Sequence, residues 1–373
     1  MPAASILIKP CSSNCNIDCK YCFYKKLCHT RESYSKGRMS DETLEKLISQ
    51  ACAYADGLVS FAFQGGEPML AGIEFFQKAA ALQQKYSRKG LRIENTIQTN
   101  GVLIDREWAQ FFAEHDFLVG ISLDGPRKIH DAYRTDANGN PTFTRIMNGI
   151  ALLREYGVRF NIATVVTEEL AHQAAYLYKF YKRNNFSYVQ LIPCMGNSWE
   201  TDGRIAEAEN EFSVRPESYG RFLSEIFDLW YPDFCAGEDM EIRTFSNLAQ
   251  MAAGYPAEEC GMNGCCSCYF VVEADGSVYP CDFYCTDAYC LGTVEKPFEE
   301  LLKNKKVGEF IEYSKRKPKE CLQCPYYRLC RGGCRHWREP DSQLNYLCAG
   351  YRIFFEHCES RLDVLGKMIL RKG

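Results

Sequence analysis

Three cysteines, Cys15, Cys19 and Cys22, stand on one short stretch directly after the strand candidate Ser5–Lys9. A loop of that spacing can wrap three thiolates round one inorganic centre, and the rest of the chain must fold so as to keep it in place. The 373 residues include 21 cysteines, an odd count that complete pairing cannot use. The opening MPAASILIKP has no basic start followed by a long apolar stretch, so it does not read as a signal peptide. The expectation is a cytoplasmic chain whose thiols stay reduced and serve as metal ligands. Three thiolates can hold a [4Fe–4S] cubane with one iron left open. The same spacing also suits a zinc site or a group of buried thiols. Cys11 and Cys28 read as buried or incidental.

Up to about residue 231, strand-like and helix-like segments alternate. The strand candidates are Ser5–Lys9, Val59–Phe63, Leu91–Gln98, Phe117–Leu123, Val158–Val166 and Tyr188–Pro193. In the fifth, Val158, Phe160 and Ile162 share one face and Arg159 and Asn161 the other. Helical periodicity marks Asp41–Tyr54, through Leu44, Leu47, Ile48 and Ala51, and a second helix through Phe143, Ile146, Met147 and Ile150 that Gly157 is placed to end. A third begins at Pro216, with Tyr219, Phe222, Leu223, Ile226, Phe227 and Trp230 on one side. The alternation predicts parallel βαβ units, in a doubly wound sheet or a partial barrel, with reactive groups at the carboxyl ends of the strands. The polar stretch Gly196–Ser213 reads as a loop.

After Cys260 the character changes to clustered cysteines with glycine and aromatic residues. A short hairpin is expected over Phe270–Glu273 and Val278–Pro280, turning at Ala274, Asp275 and Gly276. Its apolar content is too small to stand alone, and metal ligation would supply cross-links. Cys321, Cys324, Cys330, Cys334 and Cys348 follow, with Cys260, Cys266 and Cys281 upstream. On spacing alone these eight could make two zinc sites.

The pattern Cys15-x-x-x-Cys19-x-x-Cys22, with Tyr21 before its last cysteine, resembles the signature of the radical S-adenosylmethionine (SAM) superfamily. Gly65-Gly66-Glu67-Pro68 is similar to the motif with which that family holds the SAM amino group. Thr99-Asn100-Gly101, then Ser122 with Asp124-Gly125-Pro126, stand where the family places further SAM contacts. The resemblance implies that Arg134 touches the SAM carboxylate and that Met195 lies against the adenine. Bound there, a reduced cubane would cleave SAM to a 5′-deoxyadenosyl radical.

The C-terminal cysteines resemble the SPASM domain. That likeness implies one auxiliary [4Fe–4S] cluster on Cys260, Cys266, Cys281 and Cys334 and another on Cys321, Cys324, Cys330 and Cys348, three clusters in all. The fold it implies is α/β: a partial (β/α)6 TIM-like barrel with a C-terminal cysteine-rich SPASM domain binding two auxiliary clusters. The expected divisions are a SAM-binding core over 1–235, a connecting segment 236–259, the cluster domain 260–348 and a C-terminal helix 349–373. Cys52 reads as core, and Cys265 and Cys268 as weaker ligand candidates; Cys285 and Cys290 fall outside the pattern.

The stretches Phe61–Pro68, Gly261–Gly264, Asp275–Tyr284 and Asn345–Cys348 resemble the anaerobic sulfatase-maturating enzymes over nearly the whole chain. The resemblance implies oxidation of a cysteine or serine in an unfolded sulfatase to Cα-formylglycine, for which a peptide containing Cys-x-Pro-x-Arg is the natural test substrate. It implies Asp282 as the base, Tyr24 and Gln64 as substrate contacts, and an electron donor such as ferredoxin or flavodoxin. A net charge of −4 argues against a nucleic-acid surface, and no apolar run is long enough for a membrane span. Two other readings stand beside this one. The same domains could cross-link a ribosomally made peptide, for example through a thioether, or the cysteines could hold zinc in a non-catalytic binding protein.

Overall fold

The computed structural model describes residues 3–195 and 212–372. All but the last two residues of the expected polar loop Gly196–Ser213 therefore lie outside the described residues. The strands in chain order are β1 (Ala4–Ile8), β2 (Ile17–Cys19), β3 (Leu58–Phe63), β4 (Arg92–Thr99), β5 (Leu118–Ser122) and β6 (Arg134–Asp136). They continue with β7 (Phe160–Val166), β8 (Tyr188–Pro193), β9 (Glu241–Ile242), β10 (Phe270–Val272), β11 (Ser277–Tyr279) and β12 (Gly292–Thr293). The chain forms two compact units. One contains Met1–Leu123, His130–Phe160 and Ser267–Phe310, and the other Asp124–Ile129, Asn161–Cys266 and Ile311–Gly373.

In the first unit the strand order is β12-β11-β10-β1-β3-β4-β5. From β10 through β5 every neighbour is parallel, while β11 and β12 are antiparallel additions, so the sheet is mixed. Val59, Phe61 and Phe63 of β3 are fully buried. The helix Asp41–Tyr54 covers the sheet with Leu44, Leu47, Ile48 and Ala51, as its period predicts, and Ser40 caps it by accepting the Thr43 N–H. Each such large apolar side chain contributes roughly 1.5–3 kcal/mol by leaving water.

Most strand candidates match within a residue or two. The fifth begins at Phe160 rather than Val158 because the Val158 N–H bonds back to the Leu153 carbonyl at 2.8 Å, closing the preceding helix. Gly157 supplies the left-handed turn there, with φ 68°. The hairpin is formed as expected, Val271 opposite Tyr279. Its pairing was not legible: β10 joins β1 in parallel, Ile6 opposite Phe270, so the segment extends the sheet at its edge.

In the second unit β7, β8 and β9 are parallel neighbours. The helix Pro216–Cys235 buries the predicted face from Tyr219 to Trp230 and lies along the long helix Cys348–Lys372. Gly220 and Gly350 make that approach possible, since a Cβ on Gly220 would stand 2.3 Å from the Gly350 carbonyl oxygen. Among the described residues no helix is long and apolar enough to cross a membrane.

Candidate active site

Lys9, Gln64 and Glu273 are the residues immediately after β1, β3 and β10. Those strands are adjacent and parallel, with Ile8 opposite both Phe63 and Val272, so the three side chains leave one edge of the sheet at the same level. Carboxyl ends of parallel strands are where such folds place their reactive groups.

Beyond Lys9 the chain turns, with the Asn14 N–H on the Cys11 carbonyl at 3.0 Å and Ser12 at φ 52°. It then enters the three-cysteine loop. β2 pairs antiparallel with β6, which sets Cys19 opposite Arg134, and Cys22 directly precedes the helix Phe23–His29. Cys15 is exposed, Cys22 half-buried and Cys19 buried. The Asn100 side-chain amide points its N–H at Cys15 Sγ (3.8 Å), and Arg134 points Nη1 at Cys19 Sγ (3.7 Å). Donors aimed at sulfur favour thiolate, the form that ligates a cluster. Although part of the residue reaches the surface, desolvation round the sulfur pushes the Cys15 thiol up to about 11, with Glu67 and Cys22 adding to the rise, so ionising it calls for a cation beside the sulfur. The residues present fit a cluster.

The glycine motif is built against this loop. The Gly66 N–H bonds the Ser12 carbonyl and the Glu67 N–H the Asn14 carbonyl, each at 2.8 Å, and a Cβ on Gly66 would stand 2.1 Å from the Asn14 oxygen. Glu67 is fully buried. Its carboxylate accepts from the Met69 N–H (3.0 Å), the Thr99 hydroxyl (2.8 Å) and the Asn100 N–H (2.8 Å), tying the loop after β3 to the end of β4. Ser122, at the end of β5, accepts from Gln98 at 3.2 Å. The Arg134 guanidinium lies 5.3 Å from the centre of the Tyr21 ring. Met195, in the second unit, follows β8 and is half-buried.

Asp282, Tyr24 and Gln64 come together. The Tyr24 hydroxyl donates to Asp282 Oδ2 at 2.6 Å, and Gln64 Nε2 donates to Tyr24 at 3.0 Å and reaches Oδ2 at 3.5 Å. Lys9 places Nζ 2.8 Å from Asp282 Oδ1 and 4.5 Å from the centre of the Tyr24 ring. Behind it, Glu273 lies 3.7 Å from Lys9 and 2.8 Å from Arg31. Burial alone would lower the Lys9 ammonium; Asp282 and Glu273 outweigh it and hold it above the usual lysine range. Burial, then Asp282, raises Tyr24 well above its ordinary value, so Tyr24 stays a hydrogen-bond donor. Tyr269 borders the same group, accepting the Asp282 N–H at 3.2 Å with its hydroxyl 3.5 Å from Cys281 Sγ. The sequence reading missed Lys9, Arg31, Glu273 and Tyr269. Two of them carried a signal: Lys9 ends the apolar run SILI and Glu273 the run FVV, and a charge there needs a partner.

In the second unit the thiols fall into two sets. Burial pushes Cys330 up to about 11, and Cys321, Cys348 and Cys324 add to the rise. Burial pushes Cys334 up to about 12, with Cys260 and Cys266 adding. Cys281, the other member of the expected first auxiliary set, lies in the first unit. Among the described residues no three His, Cys, Asp or Glu side chains converge to hold a single metal ion. Cys52 is buried in its helix, as expected; Cys285 is also buried, and Cys265 is exposed.

A mixed α/β sheet whose first strand delivers three grouped cysteines, braced by a glycine-glutamate loop and joined by a cysteine-rich C-terminal region, defines a radical SAM protein. The radical SAM superfamily model matches residues 10–180, and the SPASM model, an iron–sulfur cluster-binding domain, residues 262–325. The chain is 44% identical over 97% of its length, and 98% of the relative's, to a cysteine-type anaerobic sulfatase-maturating enzyme of Clostridium perfringens (strain 13 / Type A). It is 34% identical to a serine-type enzyme of Bacteroides thetaiotaomicron, covering 98% of this chain and 92% of that one. A solved structure of native anSMEcpe with bound AdoMet and Cp18Cys peptide superposes with TM-score 0.90 at 44% identity, covering 98% of this chain and 99% of that one. The chain belongs to the anaerobic sulfatase-maturating enzymes of the radical SAM superfamily.

Proposed function

We propose that the chain oxidises a cysteine or serine of an unfolded sulfatase polypeptide to Cα-formylglycine. The observation that carries this reading is the Asp282 carboxylate, next in sequence to Cys281, held on one oxygen by Tyr24 and Gln64 and on the other by Lys9. When bound, the SAM cluster supplies the radical that removes one hydrogen atom from the substrate Cβ.

On this reading Cys15, Cys19 and Cys22 hold that cluster, while Tyr21, Gly66, Ser122, Arg134 and Met195 contact SAM. Gly66 serves through its backbone, since no side chain fits beside Asn14. Tyr24 and Gln64 face the substrate side chain. Asp282 accepts the proton of its thiol or hydroxyl, and an auxiliary cluster, when bound, would supply the acceptor for the remaining electron. The carbon–heteroatom bond becomes double, giving an aldehyde from serine; from cysteine it gives a thioaldehyde, which water converts to the aldehyde with release of sulfide. Cys260, Cys266, Cys281 and Cys334 would hold one auxiliary cluster and Cys321, Cys324, Cys330 and Cys348 the other, each closed by four thiolates and suited to passing electrons on. An external carrier such as ferredoxin or flavodoxin would complete the circuit. The βα units support a partial (β/α)6 barrel over 1–235, with 236–259 connecting it to a cluster domain at 260–348 and a terminal helix at 349–373.

The test is anaerobic. Reconstituted protein, reductant, SAM and a Cys-x-Pro-x-Arg peptide should give the formylglycine mass change together with 5′-deoxyadenosine. Deoxyadenosine without peptide oxidation would reject the substrate. Asp282→Asn should cut oxidation by about a hundredfold or more while SAM binding persists; unchanged oxidation would remove Asp282 as the base.

A further inference from the structure

Arg338 is 3% exposed, and its guanidinium is bonded to backbone carbonyls. Nη1 donates to the Ser314 carbonyl at 2.8 Å and to the Arg316 carbonyl at 3.0 Å. Nη2 donates to the Gly333 carbonyl at 3.0 Å and Nε to that of Gly332 at 3.2 Å. Lys317 stands beside it, with Nζ donating to the Gly264 carbonyl at 2.8 Å and to the same Ser314 carbonyl at 2.6 Å. Two cations thus converge on one oxygen, and among the described residues neither pairs with a carboxylate. Backbone dipoles satisfy the donors but leave the charge uncancelled. Buried charges are ordinarily paired, because taking one out of water without a counter-charge is costly.

The chain around this pair carries cysteines, all within the second unit. Gly332 and Gly333 lie on the turn that leaves Cys330, whose carbonyl takes the Gly333 N–H at 2.8 Å. Lys317 directly precedes Pro318, whose carbonyl accepts the Cys321 N–H at 3.1 Å at the start of the helix Lys319–Leu322. Arg338 and Lys317 therefore hold the two segments that present Cys330 and Cys321. Burial raises the Cys321 thiol, and Arg338 is the foremost charge opposing the rise, with Lys317 acting the same way. Burial and then Arg338 lower the Lys317 ammonium to about 8, and the charges opposing them are the thiols of Cys321, Cys266 and Cys265. Cys321, Cys348 and Cys324 act together on Cys330, yet no three such groups among the described residues converge on a single ion. Thiols spread in this way fit a cubane, in which each sulfur binds its own iron.

We propose that Arg338 and Lys317 supply the fixed counter-charge of the centre on Cys321, Cys324, Cys330 and Cys348, raising its reduction potential so that it accepts the electron leaving the substrate. The inference rests on the reading of those four cysteines as cluster ligands. A thiolate-bound cubane is anionic and gains a further negative charge on reduction, so nearby cations favour its reduced form. In the step, the substrate radical loses one electron and the centre, when bound, gains it. No bond to either cation forms or breaks, and both keep their protons. The electron then passes to the external carrier named above. Both residues act through the centre and not on the substrate, so they are positioning residues.

The experiment is a redox titration of the reconstituted full-length protein, followed by electron paramagnetic resonance, for wild type, Arg338→Gln, Arg338→Lys and Lys317→Gln. Arg338→Gln should keep its iron and shift the one-electron reduction of one centre about tenfold toward the oxidised form, a potential lower by about 59 mV. Lys317→Gln should move the same centre in the same direction by a smaller factor, since water screens a half-buried charge. Arg338→Lys restores the charge without the carbonyl bonds of the guanidinium, so its potential should return to wild type. A residue that merely braced the turn would fail in both Arg338 variants alike. Wild-type potentials in iron-replete Arg338→Gln, or an equal fall in Arg338→Lys, would overturn the proposal. Should either Arg338 variant not retain iron, Lys317→Gln carries the test, and an unmoved potential there counts equally against the proposal. If Cys330→Ala keeps the wild-type iron content, the reading of the ligands fails first, which separates the two failures.

Discussion

The Glu67 carboxylate accepts the backbone N–H of Asn100 at 2.8 Å, from one strand end to the next. Asn100 in turn holds Cys15 and, through its side-chain amide, Asn16 Oδ1 at 2.8 Å. A residue that reads in sequence as part of a ligand-binding motif is thus a buried brace for the cysteine loop. Glu67→Ala strands three donors, those of Met69, Thr99 and Asn100. The expected cost is about 3 kcal/mol or more, measured by urea denaturation of the purified chain. A loss under about 1 kcal/mol would show that water takes over these bonds.

The same carboxyl makes stability depend on pH. Burial raises Glu67 from its ordinary 4.5 to about 7, against its three donors. Between those values the folded chain binds more protons than the unfolded one, so this contribution is complete below about pH 4.5 and lost as pH rises through 7. The difference in unfolding free energy between wild type and Glu67→Gln should shrink by about 3 kcal/mol from pH 4.5 to 8. Parallel curves would contradict the assignment.

Gly66→Ala puts a methyl group 2.1 Å from the Asn14 carbonyl oxygen, a distance no rotamer can relieve. The loop before Cys15 must move. The variant should lose about 3 kcal/mol and retain less iron after reconstitution, read by metal analysis. Gly65→Ala meets the Ser12 oxygen at 2.9 Å but also forces a side chain to φ 121°, so it should be no milder. Wild-type iron content in both variants would refute the close approach.

Local pattern revealed what local physics decides. The helices at Asp41 and Pro216 show their buried faces by period, and β1, β3, β4, β5, β7 and β8 show theirs by alternation or apolar runs, whereas the three-residue strands β2 and β6 gave no such signal. The cysteine motifs pointed to ligands because spacing alone limits what thiols can do. What stayed hidden was long-range: β10 beside β1 is separated by more than two hundred and fifty residues, and no periodicity records such pairing. The grouping of Lys9 with Asp282 depends on that pairing, so it could not be read before the sheet order was known. Asp282, Tyr24 and Gln64 were named through resemblance; their mutual contact belongs to the structure.

Tyr24→Phe removes the 2.6 Å hydrogen bond to Asp282 Oδ2 and leaves the ring beside Lys9. Gln64 alone then holds that oxygen, at 3.5 Å. Peptide oxidation should fall by about tenfold, the worth of one charge-assisted hydrogen bond near 1.5 kcal/mol, with SAM binding unchanged. Equal losses in SAM cleavage and peptide oxidation would place Tyr24 with the cofactor instead.

On the proposed ligand sets Cys330 and Cys334 would serve different clusters although three residues separate them. Arg331 at φ 48°, Gly332 at 88° and Gly333 at 63° turn the chain between them, and the Gly333 N–H closes on the Cys330 carbonyl at 2.8 Å. A turn this tight lets one short stretch serve two centres, so removing one ligand should damage one centre and spare the other. Wild-type protein should reconstitute with about twelve irons per chain, and Cys330→Ala with about eight. Reductive SAM cleavage should persist in Cys330→Ala, since Cys15, Cys19 and Cys22 are untouched, while formylglycine formation drops. Iron analysis beside a 5′-deoxyadenosine assay checks both halves. An unchanged iron count would take Cys330 out of the ligand set, and zinc in place of iron would return the C-terminal cysteines to a purely structural role.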